Sequence, residues 1–454
     1  MKYLHSYIRN NKISLFEIVF NNFKKSRVFL KKSFVTFLRN RSMEKFGSIY
    51  KLAKNLDMKT NKSYYSPIQR YLTSYKYRTS VPIHLLLKIV KLLDIPKSEI
   101  YNNIEYFQSW TGKKIYVPRY LKLDEDFIYG IGLYLGEGKN SDKMKQRIGI
   151  ANSKKEIVKF SIYWFTKYFN INEKDLRFCT ISPNSCNNED LKINLKRDLK
   201  IKSNNFSMGN REKTNVSTIQ VYYDSVIIRN LIDWLKENTI PLCLKDKKLG
   251  IRFLQGIMDG EGSVNISNIK RSVRLVLEMK NQFVLNVIEY ILYSHGIDTN
   301  RPKSNKNLIY TQTRDYFKLN EIKPFRYNLK NKRKFSKGEK IIKRLQTFKG
   351  GLFYELLDYM EEHQERSFML GELYNLIGRK GSANINFKEA INKSLNLGLI
   401  ELNGKGRRRD PYEITITKDG VNHIKRLKME KINHYALLNN SIHKIIQSRW
   451  KDGS

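Results

Sequence analysis

The chain has 454 residues, of which 41% are hydrophobic, so it can build several packed domains and is not disordered throughout. Its 85 Lys and Arg against 43 Asp and Glu leave a net charge of +42, an excess that predicts a polyanionic partner, nucleic acid first of all. Three cysteines without metal-site spacing predict a reducing intracellular location, cytoplasm or nucleoid with an organelle left open, and no apolar run is long enough to predict a membrane span.

The N-terminal segment, residues 1–42, is strongly basic, with ten basic residues and the single acid Glu17. Apolar residues such as Leu15, Ile18 and Phe23 recur at helical spacing. A basic DNA-contacting arm, a transit-like presequence and an artefact of the chosen start all fit this pattern. The sequence leaves the three readings open.

Residues 43–105 have the pattern of three short helices, the second of which begins at Pro67. The third helix carries a strong apolar stripe, formed by Leu85, Leu86, Ile89, Val90 and Leu93. The arrangement resembles a helix-turn-helix module of the phage-repressor type. That resemblance implies that the helix holding Gln69 and Arg70 enters the major groove of DNA. A plain three-helix bundle is the alternative.

Residues 350–425 follow the pair Gly350-Gly351 and have the pattern of three helices and a β-hairpin, which resembles a winged helix. The apolar positions that mark the three helices are Leu356 and Met360, then Leu370, Leu373 and Leu376, then Phe387, Ile391 and Leu395. Gly398 is predicted to end the third helix. The hairpin turn carries Arg407, Arg408 and Arg409, which are suited to backbone phosphates unless the turn is simply a solvated loop. Residues 426–454 are a basic tail, predicted to be helical.

Two segments of the central region, Tyr129–Gly138 and Phe253–Ser263, match each other. Both carry Gly, Gly, Glu and Gly in the same register after an apolar helical run. The separation of the two copies suits one α+β subdomain for each. The paired glutamates are Glu137 and Glu261.

The glycines inside each motif are four residues apart, Gly132 with Gly136 and Gly256 with Gly260. Residues four apart share one face of a helix, and glycine there lets two backbones approach closely. Glycine inside a helix costs about 1 kcal/mol relative to alanine. Matched pairs therefore predict two motif helices that pack side by side.

The glycine after each acid, Gly138 or Gly262, is predicted to end the helix in the left-handed conformation. Glu137 and Glu261 then lie in the last helical turn, at the negative end of the helix dipole. Two carboxylates brought together at such ends repel each other unless a proton or a cation intervenes. A hard divalent cation such as Mg²⁺ is the simplest solution.

Similar strands and helices follow both motifs. A strand is predicted over Arg147–Asn152 after the first, and two strands over Ser263–Ile266 and Arg274–Met279 after the second. Apolar and polar residues alternate along them, which predicts one packed face and one polar, open face suited to DNA. The candidate DNA contacts on these strands are Arg147, Asn152, Arg274 and Lys280.

The two motifs resemble the paired motifs of the LAGLIDADG homing endonucleases, over about half of the chain. The resemblance implies an α+β fold with two αββαββα halves related by a pseudo-two-fold axis, which bind a long site in double-stranded DNA and cut both strands. It also implies a Mg²⁺ site at each final acid, and a basic residue near each centre. The metal-site candidates are Glu137 and Glu261 with the adjacent Gly136 and Gly260, and the basic candidates, chosen by repeat symmetry, are Lys245 and Lys330.

The predicted domains are therefore 1–42, 43–105, the repeats 123–248 and 249–345, 350–425 and 426–454, in a free-standing monomer. The first motif departs from the family pattern, because Leu135 stands where an acid is frequent, whereas the second keeps Asp259. A helical insertion near 190–201 enlarges the first repeat. A non-cutting regulator, or a maturase that binds intron RNA on the same fold, is the alternative function.

Overall fold

A computed structural model gives the structure of this chain. It describes residues 7–9, 12–56, 67–73, 79–108, 113–139, 146–211, 215–267, 272–344, 352–363, 366–376, 383–404 and 412–451. The chain divides into two compact units, Met1–Thr239 (unit 1) and Ile240–Ser454 (unit 2). Helices and strands are mixed in both units, which confirms the predicted α+β class.

The N-terminal part of unit 1 contains two small sheets and six helices among the described residues. In chain order these are β1 (Ile8–Arg9), β2 (Lys12–Ser14), α1 (Leu15–Asn22), β3 (Arg27–Leu30), α2 (Lys32–Phe46), α3 (Ile49–Asn55), α4 (Pro67–Thr73), β4 (Val81–Pro82), α5 (Ile83–Leu92), α6 (Lys97–Asn102), β5 (Ile104–Gln108), β6 (Lys114–Ile115) and β7 (Tyr120–Lys122). The sheet orders are β1-β2-β7 and β4-β3-β5-β6, and all described pairs are antiparallel.

Residues 7–9 and 12–42, the described part of this segment, belong to the packed structure, so the predicted boundary between residues 42 and 43 is wrong. Helix α2 runs through the boundary, and β2 pairs with β7 about 110 positions further along the chain. Ile13, Leu15 and Ile18 are completely buried. The regularly spaced apolar residues of this segment therefore form part of a hydrophobic core rather than one face of a free basic arm. Burying these side chains is favourable whatever the charge of their neighbours.

The helices predicted over 43–105 are present. The apolar stripe of α5 is buried, as are Ile68 and Leu72 on α4, and α2 packs on both α3 and α4. On α4 the side chain of Gln69 is half-buried and that of Arg70 is exposed. Arg70 therefore lies on the solvent side of a helix whose other face is in the core, while the helix-turn-helix assignment stays a prediction.

The second part of unit 1 is a five-stranded sheet with its helices. Its elements are α7 (Glu125–Glu137), β8 (Gly138–Lys139), β9 (Arg147–Asn152), α8 (Lys155–Phe169), β10 (Arg177–Ser182), α9 (Asn188–Leu199), β11 (Phe206–Asn210), β12 (Thr218–Asp224) and α10 (Val226–Lys245), the last of which ends in unit 2. The strand order is β11-β10-β12-β9-β8, with only β10 and β11 parallel among the described pairs. The predicted insertion helix is α9.

Helix α7 begins where the Asp124 carboxylate accepts a hydrogen bond from the backbone N–H of Phe127, at 2.9 Å. Glu125 and Asp126 fill its first turn, where negative charge is stabilised by the helix dipole. Further along, Gly130 lies against the buried Trp164, and an added Cβ would come within 1.9 Å of the indole Nε1. Glycine at this position of the motif thus admits a large core side chain of unit 1.

Unit 2 opens with a similar set of elements. They are α11 (Lys247–Gly260), β13 (Gly262–Ser267), β14 (Ser272–Glu278), α12 (Gln282–Ser294), β15 (Thr299–Asn300), β16 (Leu308–Thr311), α13 (Tyr316–Ile322) and α14 (Leu329–Arg344). The strand order, β13-β14-β16-β15, is antiparallel and repeats the order β8-β9-β12-β10 of unit 1, where β11 is an extra edge strand.

The C-terminal part of unit 2 has its own small core. Its elements are α15 (Leu352–Glu362), β17 (Phe368–Met369), α16 (Leu370–Leu376), α17 (Ala383–Asn396), β18 (Ile400–Asn403), β19 (Glu413–Ile416) and α18 (Lys418–Lys451). Gly398 has a φ of 66°, which confirms that it ends the helix that precedes it. The predicted boundary between residues 425 and 426 falls inside α18 and is wrong. Arg407, Arg408 and Arg409 lie outside the described residues.

The composition predicts reduced cysteines and no membrane-spanning segment. Cys179, Cys186 and Cys243 are free thiols, and burial raises the pKa of the Cys243 thiol well above its usual range, which makes it unreactive. Among the helices of the described residues, none combines the length and the apolar character that crossing a bilayer requires.

Candidate sites at the ends of two motif helices

Glu137 is the last residue of α7, and the chain turns directly from the helix into a strand at Gly138. Gly138 is extended, with φ −64° and ψ 131°, and its N–H donates to the carbonyl of Tyr134. An added Cβ would lie 2.2 Å from that carbonyl oxygen. The predicted left-handed cap is therefore wrong. Glycine is needed here because the start of β8 passes too close to the previous helical turn for any side chain.

Glu261 ends the second motif in the same way. It follows the last residue of α11, and its N–H donates to the carbonyl of Ile257, at 2.9 Å. Gly262 then begins β13, outside the left-handed region, and an added Cβ would lie 2.6 Å from the carbonyl oxygen of Met258. The left-handed cap is wrong here too. Each unit therefore presents a glutamate at a tight helix-to-strand turn.

The Glu137 carboxylate is held by Asn152, at the end of β9. The Asn152 amide Nδ2 donates to Glu137 Oε1 at 2.8 Å, and Asn152 Oδ1 accepts from the N–H of Lys154 at 2.9 Å. Asn152 is only 3% exposed. Because Asn152 is buried and its amide N–H and carbonyl are both hydrogen-bonded, it fixes the orientation of the Glu137 carboxylate. The sequence instead predicts that Asn152 contacts DNA.

Asp259 lies inside unit 2, two positions before Glu261, and is completely buried. Its Oδ1 accepts from the N–H groups of Arg326 and Asn328, at 3.1 and 3.0 Å, and its Oδ2 from those of Arg326 and Tyr327, at 3.2 and 2.6 Å. Three backbone donors compensate for the buried charge. Asp259 therefore fixes the segment before α14 to the end of α11.

The two candidate lysines, Lys245 and Lys330, are both exposed and both in unit 2. Lys245 precedes Asp246, the N-cap of α11, whereas Glu261 follows the other end of that helix, roughly 21 Å away at 1.5 Å per residue. Lys330 is in the first turn of α14, beside Asn331, whose Nδ2 donates to the carbonyl of Gly262 at 2.7 Å. Within unit 2, Lys330 is thus the lysine near Glu261.

The sheet of unit 2 has the predicted alternation. Val273, Leu275 and Leu277 of β14 are buried against the helices. The opposite face carries Arg274, which lies over the ring of Tyr310 at 5.1 Å. The other members of this face on β13 and β14 are Ser263, Asn265, Ser267, Ser272, Val276 and Glu278. Lys280 is exposed just after β14. The face is polar and partly open, and it carries hydrogen-bonding groups and one cation.

The corresponding face of unit 1 is less free than the sequence predicts. The Nε of Arg147 donates to Asp224 at 3.1 Å, and Arg177 pairs with the same carboxylate at 3.1 Å. The Arg147 guanidinium also lies 4.0 Å from the ring centre of Tyr222. Nearby, burial lowers the pKa of Lys113, against the opposing effects of Asp175 and Asp224. Arg147 is therefore a partly neutralised cation within a network.

The residues at the two helix ends are oxygen donors. Glu137 is half-buried and Glu261 is exposed, and Gly136 and Gly260 are both half-buried positions beside them. The last carbonyls of a helix have no partner within it and add to the negative potential there. No group of three or more His, Cys, Asp or Glu side chains is gathered anywhere in the described ranges. A hard cation would therefore find one carboxylate per unit, with backbone oxygens, at these ends.

Comparison with known proteins gives similarity to solved structures only. No family model matches the chain, and no curated protein matches it. A structure of mesophilic variants of the homing endonuclease I-DmoI is 16% identical, with a TM-score of 0.25, and covers 44% of this chain and 94% of its own. I-DmoI in complex with DNA and Mn is 14% identical, with a TM-score of 0.24, over 44% and 95%. Full-length DUF199/WhiA from "Thermatoga maritima" is 11% identical, with a TM-score of 0.26, over 60% and 93%.

Proposed function

We propose that this protein binds double-stranded DNA through two LAGLIDADG-type halves and cuts both strands with one glutamate from each half. The observation that carries the proposal is the equivalent position of Glu137 and Glu261. Each ends a motif helix, each is followed by a glycine that a Cβ cannot replace, and each precedes the edge strand of a sheet with the same strand order. An incidental pair of acids does not account for this repetition.

The halves are proposed to be the αββαββα repeats that the motif resemblance implies, with the segments around α3–α5 and α15–β19 as accessory DNA-binding modules. DNA as the partner is supported by the net charge of +42, which favours binding to a polyanion. It is also supported by the polar sheet faces, where Arg274 and Asn265 can reach base edges or phosphates.

Mg²⁺ fits the donor set. This ion keeps several waters and is commonly held by one or two carboxylates together with substrate phosphates, so three protein ligands are not required. Glu137 and Glu261, with the adjacent carbonyls of Gly136 and Gly260, would hold it. When bound, the ion supplies an acidified water and neutralises charge that develops on the scissile phosphate.

The remaining groups are assigned from the contacts of each unit. Asn152 holds the Glu137 carboxylate through Oε1. Lys330 is the proposed cation that stabilises charge on the phosphate in the second half, because its segment is hydrogen-bonded to the carbonyl of Gly262. Lys245 is retained as the candidate that repeat symmetry gives for the first half. Since one chain supplies both glutamates, the active form is proposed to be a monomer.

The test requires a target site, which can be found without assuming one. Duplexes that bind the protein in EDTA are selected from a random library, cloned into supercoiled plasmid, and exposed to the protein with Mg²⁺. The wild type is expected to linearise the plasmid, and Glu137→Gln and Glu261→Gln to bind it equally well without linearising it. These substitutions keep side-chain size and remove a ligand charge.

A non-cutting regulator is the second candidate, and the hydrogen bond from the buried Asn152 to Glu137 favours it. A carboxylate held in this way can serve to fix the helix-to-strand turn without any metal. If the wild type binds the selected site tightly but leaves the plasmid intact in Mg²⁺ and in Mn²⁺, the regulator hypothesis is supported and the nuclease hypothesis is rejected. A preference for structured RNA over the selected duplex would instead indicate the intron RNA maturase.

A further inference from the structure

Helix α14 carries a dense stripe of exposed cations, of which the proposed site uses only the first, Lys330. Lys330, Arg333, Lys334 and Lys337 stand at positions i, i+3, i+4 and i+7, which is one face of a helix. All four side chains are exposed, and Lys332 is exposed on the flank. We name the four residues the α14 stripe.

The opposite face of α14 is fixed to the protein, so the direction of the stripe is defined. Phe335 is 4% exposed, and its carbonyl accepts a hydrogen bond from the Tyr316 hydroxyl at 2.9 Å. An added Cβ on Gly338 would lie 2.8 Å from Val273 of β14. The helix is therefore packed on Tyr316 through Phe335 and on the sheet through Gly338, and the stripe points away from that packing.

The stripe is unfavourable for the isolated protein. Cations three and four residues apart on a helix repel one another, and cations in the first turn oppose the helix dipole. Glu339, the acidic residue of this helix, interacts electrostatically with Tyr316. Burial, and to a smaller extent the charge of Glu339, raises the pKa of the Tyr316 hydroxyl to about 12. No stripe residue forms an ion pair with any residue that the structure describes. Such a surface becomes favourable when an anion neutralises it.

The stripe begins beside the second candidate site. The N–H of Asn328, just before α14, donates to Asp259, and Asn331 donates to the carbonyl of Gly262 next to Glu261. From Lys330 the stripe extends by roughly 10 Å at 1.5 Å per residue, and one DNA strand presents a phosphate about every 3.4 Å along the duplex axis. Laid along the duplex axis, a cationic row of this length spans about three phosphate intervals of one strand.

We propose that the α14 stripe binds the phosphate backbone of duplex DNA beyond the Glu261 site, as a contact independent of base sequence. The inference rests on the proposed function for its partner, because DNA held at Glu261 continues past the start of α14. It adds an anchoring surface on a helix to the sheet faces and motif acids.

The test measures the salt dependence of binding. Affinity for a labelled random-sequence DNA duplex is followed by fluorescence anisotropy over a range of KCl, without divalent metal, for the full-length protein and its variants. The slope of log K against log salt falls by about 0.9 for each phosphate that the protein no longer neutralises, so R333Q/K337Q is expected to lower the slope by about 1.8. R333K/K337R keeps both charges and is expected to retain the wild-type slope. K159Q/K174Q removes two exposed lysines of unit 1 and is expected to change it little.

Folding is controlled within the same experiment. R333Q/K337Q removes like-charge pairs, so its melting temperature is expected to be no lower than that of the wild type. The stripe proposal is overturned if R333Q/K337Q and K159Q/K174Q have the same slope, or if the slope of R333K/K337R falls as far as that of R333Q/K337Q. A change seen with duplex RNA and not with DNA also overturns it. If the wild-type protein binds no duplex DNA at any salt concentration, the proposed function itself is refuted. That result differs from DNA binding whose salt slope the substitutions do not change, which refutes only the stripe proposal.

Discussion

Replacing Asp259 with asparagine is expected to loosen unit 2 at the start of α14. The carboxylate is completely buried and accepts from the backbone N–H groups of Arg326, Tyr327 and Asn328. In asparagine one oxygen becomes an NH₂ donor. If the remaining oxygen faces Asn328, the N–H of Tyr327, now 2.6 Å from Oδ2, meets a donor and loses its partner.

The size of the effect follows from these hydrogen bonds. A buried donor left unpaired costs about 1–3 kcal/mol, and the remaining bonds fall from charge-assisted to neutral strength, at about 1 kcal/mol each. Removing the buried charge returns part of its desolvation cost. The expected net destabilisation from Asp259→Asn is about 2–4 kcal/mol.

Because the chain has several cores, a single unfolding transition is not the best measure. Amide hydrogen exchange of the 326–328 segment reports the local opening directly and is expected to become roughly 30- to 700-fold faster. Asp246→Asn is the matched control. Asp246 is an exposed N-cap of α11 that accepts from Lys248 and Leu249, and asparagine caps as well as aspartate does. Unchanged exchange at 326–328 in Asp259→Asn would refute the assignment of Asp259 as the anchor of this segment.

Three further outcomes are expected. Gly138→Ala places a Cβ 2.2 Å from a backbone carbonyl oxygen and should lower the unfolding free energy, measured by thermal melting, by about 1–3 kcal/mol. Gly209→Ala, where nothing lies within 4 Å of the added Cβ, should be close to neutral in the same measurement. Asn152→Ala removes the donor to Glu137 and should lower the rate of plasmid linearisation with little change in DNA affinity; an unchanged rate would contradict the positioning role. The pKa of Tyr316 is raised to about 12 in the folded protein, so this tyrosine ionises at lower pH in the unfolded chain, and the free energy of unfolding should fall as pH rises through about 10 to 12. Tyr316→Phe should flatten that part of the curve of unfolding free energy against pH. A curve identical to that of the wild type would contradict the pKa shift.

Local patterns of the sequence identify most elements around the candidate sites. The strand Arg147–Asn152 is found where alternation predicts it, and the helix and strand of the second motif are found around Glu261. The apolar stripe of α5 is buried as expected. These features depend on side chains within a few positions of one another, so periodicity is sufficient to locate them.

Contacts between distant positions could not be read in this way. Asp259 meets Arg326–Asn328 almost seventy positions later, and neither segment alone shows that this carboxylate accepts hydrogen bonds from those backbone N–H groups. Asn152 looks like a polar strand residue open to DNA, until the end of β9 is found beside Glu137. In both cases the role is set by which polar group becomes buried against which partner.

The sequence by itself determined the two acidic motifs, the cationic character and the position of most helices, because composition and periodicity are local properties. Only the three-dimensional structure decided that Gly138 and Gly262 are required by a close approach to the previous helical turn rather than by a left-handed turn. It also decided that residues 12–42 belong to a core. Sheet pairing brings Lys12–Ser14 to Tyr120–Lys122, and the free energy of burying apolar side chains depends on that long-range pairing.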